Sequence, residues 1–147
     1  MLSWLFSEPL PAGAAAPDFT LPDEQGRSVA LSALRGKNVI LVFYPGDDTS
    51  VCTRQLCELR ERWPDLASRN TVAFGVNPQG ARSHARFREK YGLPFPLLVD
   101  AGQAVSRLYH ANGLIVKRTV YLIGPDGAIR FSRRGKPSAN EILSSAA

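Results

Sequence analysis

The chain has 147 residues, is 44% hydrophobic and carries a formal net charge of +5. That length supports one domain with a full core, and the apolar share excludes a disordered chain. No apolar run reaches the roughly 20 residues that would span a bilayer, and no Lys or Arg precedes Arg27, so no secretory leader is expected.

The positive charge raises nucleic acid as a partner, but its distribution argues against it. Arg54, Arg60, Arg62, Arg82, Arg86, Arg88 and Arg107 are scattered, and the densest group is Arg130, Arg133, Arg134 and Lys136. No basic stripe interleaved with aromatics emerges, so a solvated basic surface is the expectation. The two cysteines are expected to stay reduced at rest in a cytoplasmic protein.

In chain order, residues 1–13 form a loose lead-in, and the rest reads as a single domain. Residues 18–21 and 27–31 flank the turn Glu24-Gln25-Gly26 and predict a hairpin. Residues 38–44 are an unbroken apolar run of strand length, which predicts a buried central strand. A helix follows over about 50–62, and Pro64 makes it kink or restart. Residues 71–76 predict another strand, and 80–91 a helix stopped by Gly92. Residues 97–99 predict a short strand and 103–109 a short helix. Strands over 116–123 and 128–132 flank Gly124-Pro125-Asp126-Gly127, a strong turn signal. A helix over 139–145 closes the chain. Alternating strands and helices ending in a hairpin predict an α/β fold with a mixed sheet covered by helices. A thioredoxin-like core fits that pattern, as do other three-layer folds.

The chemistry concentrates at Cys52 and Cys57. Cys52 falls where the buried strand gives way to a helix N-terminus, whose unpaired N–H groups and positive dipole end favour an anion, a thiolate included. Thr49, three residues earlier, reads as a helix N-cap when taken alone. Arg118, in the predicted strand 116–123, reads alone as a surface residue. His84 and His110 are the only histidines. With two cysteines they offer no zinc spacing, so no metal or cofactor is expected. His84 reads as structural or exposed, and Trp4 and Trp63 receive no role.

Four stretches carry a resemblance. They are Ala16-Pro17-Asp18-Phe19-Thr20-Leu21, the pattern Pro45-x-x-x-Thr49-x-x-Cys52 with Cys57 beyond, the segment from Ser83-His84 to Leu97-Leu98 and Asp100, and Arg118 to Gly127. Together they resemble a peroxiredoxin of the PrxQ or bacterioferritin comigratory protein type, in the AhpC/TSA superfamily, over about residues 14–143. The chain departs from that pattern at Ser50-Val51, where the family usually has Pro-Gly.

The resemblance implies a thioredoxin-like fold and a thiol-dependent peroxidase acting on hydrogen peroxide and organic hydroperoxides. Cys52 would be the peroxidatic cysteine and Cys57 the resolving one, forming an intramolecular disulfide recycled by thioredoxin or a similar dithiol reductant. Thr49 and Arg118 would bind peroxide, with the backbone N–H groups of Val51 and Cys52, and Pro45 would shape and dry the pocket rim. A monomer or weak dimer is implied. A thiol–disulfide oxidoreductase on the same core is the alternative, although that class normally uses Cys-x-x-Cys. Ionisation is a small lever in such chemistry. A thiol of pKa about 8.5 is about 3% ionised at pH 7, so full ionisation gains about thirtyfold, or ~2 kcal/mol, against the ~8 or more that enzymes supply. Orientation and charge stabilisation must supply the rest.

Overall fold

A computed structural model describes residues 7–146. Lead-in residues 1–6, with Trp4, lie outside the described part. Residues 7–13 form no helix or strand, yet they are tied to the sheet: Leu10 N–H donates to the Tyr121 hydroxyl (2.9 Å) and Gly13 N–H to the Ile129 carbonyl (2.7 Å).

The expected hairpin is present as β1 (Thr20–Pro22) and β2 (Ser28–Ala30), antiparallel with Leu21 opposite Val29. Leu31 does not extend β2 but opens a 3₁₀ turn, Leu31–Leu34. The central strand β3 (Asn38–Phe43) is buried at every residue. It pairs in parallel with β4 (Thr71–Asn77) and antiparallel with β6 (Thr119–Ile123). β5 (Leu97–Val99) lies outside β4 and β7 (Ile129–Arg134) outside β6, so the sheet order is β5-β4-β3-β6-β7.

Because side chains alternate across a strand, β3 feeds two cores. Val39, Leu41 and Phe43 face the hairpin, Tyr109, Tyr121 and α4 (Ala104–Leu108). Ile40 and Val42, followed by Tyr44, face α1 (Ser50–Glu61), α2 (Trp63–Ser68), α3 (Ala81–Tyr91) and α5 (Ala139–Leu143). Burial at Cys52, Gln55, Leu56 and Leu59 gives α1 an i, i+3, i+4, i+7 stripe against the sheet. The restart at Pro64 is real: Pro64 sits in the first turn of α2, where its missing N–H is harmless. Gly92 ends α3 in the left-handed conformation (φ 59°).

Two further features hold the site's surroundings. Asp100 caps α4, accepting from the Val105 and Ser106 N–H groups (2.9 and 2.7 Å). Gly75 in β4 lets its neighbours close in, since a methyl there would sit 2.7 Å from Leu97 Cδ2 and 2.9 Å from the Tyr44 ring. Among the described residues no helix is long and apolar enough to cross a membrane.

Candidate active site

The β3–α1 connection, residues 44–49, and the first turn of α1 form the site. Cys52 is the third residue of α1 and is fully buried (0% exposed). The first helical bond runs from Thr53 N–H to the Thr49 carbonyl (2.8 Å), so the N–H groups ahead of it have no intrahelical partner. No acidic residue stands in the first turn of α1 to compete for that positive end.

Arg118 completes the centre. One guanidinium nitrogen, Nη2, donates toward Cys52 Sγ at 3.1 Å, while Nη1 donates to Gln55 Oε1 at 2.8 Å. A guanidinium at this range stabilises negative charge on sulfur or on an oxygen leaving it. Arg118 is not within a strand, contrary to the sequence expectation. Pairing of β6 with β3 begins at Thr119 opposite Phe43, and the Lys117 N–H turns away to the Ala111 carbonyl (2.7 Å). The Arg118 carbonyl is nevertheless fixed, accepting from Gly135 N–H (2.7 Å).

Gln55 was not singled out in the sequence. It is buried one turn beyond Cys52 on the same face, and its Nε2 donates to the Gly135 carbonyl (3.4 Å) while its Oε1 receives Arg118. Its spacing of i+3 from Cys52 was the available signal.

Thr49 occupies the N-cap position of α1 with extended backbone but makes no capping bond through its side chain. Its hydroxyl donates instead to the Gly46 carbonyl (3.2 Å), so the N-cap role expected of a lone Thr is not realised. Pro45 is half-buried and follows fully buried Tyr44; Val51 is exposed at 39%. Cys57 also lies on α1, half-buried against the helical-face core, and both cysteines are free thiols. The Thr53 hydroxyl, beside Cys52, is buried and finds no hydrogen-bond partner among the described residues.

Behind the loop is a buried polar network that sequence reading did not foresee. Asp47 Oδ1 accepts from the Tyr44 hydroxyl (2.6 Å) and Asn77 Nδ2 (3.2 Å). Asp47 Oδ2 accepts from Ser83 Oγ (2.7 Å) and lies 2.6 Å from His84 Nδ1. Burial alone would push the Asp47 carboxyl up, but hydrogen bonds from His84, Tyr44 and Ser83, with the His84 charge, outweigh it and hold the carboxyl below its ordinary range. Burial, with Asp47 beside it, pushes the Tyr44 phenol well up, so it stays a neutral donor. Asp48 turns outward in a left-handed conformation (φ 57°) and binds Lys90 Nζ (2.8 Å) and the Tyr91 hydroxyl (2.6 Å). His84 is therefore fully buried, the structural of the two expected readings. Trp63 packs against Phe95 (ring centroids 5.9 Å apart). Three of the C-terminal basic residues are engaged within the chain: Lys136 with Glu58 (2.6 Å), Arg133 with Glu141, and Arg134 with Thr119 (2.7 Å).

A buried thiol at a helix N-terminus, facing a fixed guanidinium beneath a mixed five-stranded sheet, defines a thiol enzyme on a thioredoxin-like fold. Residues 12–132 match the model of the AhpC/TSA family, and the chain belongs to that family. It is 38% identical over 129 residues to a Coxiella burnetii protein assigned as peroxiredoxin bcp, with 80% of this chain and 83% of that one covered. It is 36% identical over 123 residues to the chloroplastic peroxiredoxin Q of Oryza sativa subsp. japonica, covering 81% of this chain but 57% of the rice protein. Among solved structures, peroxidoxin BcpB from Mycobacterium tuberculosis superposes with a TM-score of 0.87 at 29% identity, covering 92% of this chain and 96% of the other. A Xylella fastidiosa PrxQ mutant gives 0.85 at 23% identity, covering 94% and 96%, and shares the fold. The chain is thus a peroxiredoxin of the bcp and Q type, a thiol-dependent peroxidase.

Proposed function

We propose that the chain reduces hydrogen peroxide and organic hydroperoxides at Cys52 and resolves the product through Cys57. The Cys52 thiolate attacks the terminal oxygen of ROOH and the O–O bond breaks. Sulfur becomes sulfenic acid, and the departing alkoxide takes a proton and leaves as ROH. The observation that carries this reading is Arg118 Nη2 at 3.1 Å from Cys52 Sγ, at a helix N-terminus with no acidic residue in its first turn. The guanidinium stabilises both the attacking anion and the departing one. Thr49 and the N–H groups of Val51 and Cys52 are the proposed peroxide contacts, with Pro45 shaping the rim.

In the second step the Cys57 thiolate attacks the Cys52 sulfenic sulfur. The S–S bond forms, the S–O bond breaks, and hydroxide leaves to become water. On a regular helix, residues five apart have Cα atoms roughly 8.7 Å apart and point about 140° away from each other, beyond the ~7 Å reach of a disulfide. Both cysteines lie within α1, so the first turns of the helix unwind for the bond to form. An external dithiol, thioredoxin or similar, then restores both thiols by exchange. The setting is a cytoplasmic protein acting as a monomer or weak dimer, with its chemistry carried by a single domain.

The test is hydroperoxide consumption by the purified chain with a thioredoxin system, run beside insulin reduction. Rapid peroxide consumption with weak insulin reduction is expected. Efficient insulin reduction without peroxide turnover would instead make the chain a thiol–disulfide oxidoreductase.

A further inference from the structure

The reaction proposed above leaves unused a titratable pair with buried side chains. His84 and Asp47, on α3 and the β3–α1 loop, have side chains 0% and 3% exposed. Donor directions in their network are fixed by closure. Gln79 N–H donates to Asn77 Oδ1 (2.8 Å), which turns Asn77 Nδ2 toward Asp47. Asp47 N–H donates to Gln79 Oε1 (2.5 Å), which turns Gln79 Nε2 toward Ser83 Oγ (3.4 Å) and sends the Ser83 proton to Asp47.

The His84 ring meets only acceptors. Nε2 lies 2.9 Å from the Leu98 carbonyl, which cannot donate, so Nε2 carries a proton. Nδ1 lies 2.6 Å from Asp47 Oδ2. A neutral Asp47 could share its own proton there, but both its oxygens already receive donors from Tyr44, Asn77 and Ser83. Such an environment favours the carboxylate, which leaves Nδ1 to donate. The other charged groups nearby, Asp48 and Lys90, pair with each other at the surface.

We propose that His84 is a positioning residue, held as an imidazolium between the Asp47 carboxylate and the Leu98 carbonyl, and that this ion pair fixes the 45–49 loop for peroxide reduction. The inference rests on the proposed peroxidase reaction. Asp47 is the midpoint of that loop: on one side is Gly46, whose carbonyl takes the Thr49 hydroxyl, and on the other Thr49 itself. His84 binds the loop to α3 and, through Leu98, to β5. A reacting geometry displaced by about 1 Å can lose about a hundredfold in rate.

The test uses the full chain, reduced, with ¹⁵N-labelled histidine. There are two histidines, and His84→Gln identifies the His110 resonances by subtraction. Both His84 ring nitrogens are expected to be protonated at neutral pH, and Asp47→Asn should convert the ring to a neutral tautomer. A ring with one protonated nitrogen in the wild type overturns the proposal. The second arm compares single-turnover reduction of hydrogen peroxide with alkylation of Cys52 by iodoacetamide. Asp47→Asn should slow the peroxide step by about 10- to 100-fold and leave alkylation unchanged. Equal losses in both, or none in the peroxide step, overturn the positioning role. Ser83→Ala removes one donor and no charge, and it carries the same comparison, with a smaller loss, should Asp47→Asn fail to fold. A wild type that consumes no hydroperoxide would overturn the proposed function, while the NMR arm decides the charge of His84 without any peroxide.

Discussion

The loop before Thr49 and the helix after it are neighbours with opposite mechanics. Asp47 alone is engaged by four side chains among the described residues, Tyr44, Asn77, Ser83 and His84, and Asp48, in a left-handed conformation, is held by Lys90 and Tyr91. The first turns of α1 hold far less. Thr49 gives no side-chain cap, Val51 is exposed, and the buried Thr53 hydroxyl is unpartnered among the described residues, a desolvation penalty of about 1–3 kcal/mol in the helical state. Val and Thr are also modest helix formers. In the proposed reaction the site holds peroxide and then lets its own sulfur travel, which calls for both properties, and the boundary between them falls at Thr49.

The severest test removes the travelling sulfur. Cys52→Ser should abolish peroxide turnover with the fold intact, as judged by peroxide consumption and circular dichroism; substantial steady-state activity would end the mechanism. Cys57→Ser should keep one stoichiometric round of peroxide reduction and lose recycling by a thioredoxin system. Normal turnover in that variant would show that the helix need not open.

Arg118→Ala removes the charge facing Cys52 and should slow the peroxide step by about 10²–10³-fold, the usual loss for one such donor. Stopped-flow kinetics reads this directly, and an unchanged rate would mean the guanidinium contact is incidental. Hydrogen exchange then tests the boundary itself. Residues 50–58 should lose protection on oxidation to the disulfide, whereas the Asp47 N–H, bonded to Gln79, should keep it. Equal protection of 50–58 in both redox forms would refute the contrast.

The smallest effect expected is on acid stability. The folded Asp47 carboxyl lies below its unfolded value, so as pH falls the unfolded chain takes up the proton first. The stabilisation is complete above the ordinary carboxylate range, near pH 4, and disappears as pH drops through the lower folded value. Denaturant titrations should show a steeper acid loss in the wild type than in Asp47→Asn.

Much of this was legible in the sequence. The apolar run 38–44, the hairpin about Gly26, the stop at Gly92 and the turn at Gly124–Gly127 are local signals, and each element formed within a few residues of expectation. The junction that places Cys52 was readable for the same reason. What escaped depends on contacts between distant segments. Gln55 meets Arg118 across 63 positions and Asp47 meets His84 across 37. Nothing local distinguishes Asp47, which turns inward, from Asp48, which turns out. Thr49 looked like a cap, but a nearby carbonyl drew its hydroxyl away. Arg118 looked like part of a strand because it lies between Val116 and the apolar run from Val120 to Ile123, yet pairing starts one residue later.

The missing side chain at Gly75 is a remote support of the loop that precedes Thr49. Leu97 on one side and the Tyr44 ring on the other lean into the space above it, and even one methyl would displace them. The Tyr44 hydroxyl rests on Asp47, so that displacement would be passed through the ring to the loop. A side chain at this position is thereby disfavoured, although it would touch none of the reacting atoms. For anyone altering the enzyme it is a remote dial, in which the bulk of one residue on β4 sets the posture of the residues above the thiol.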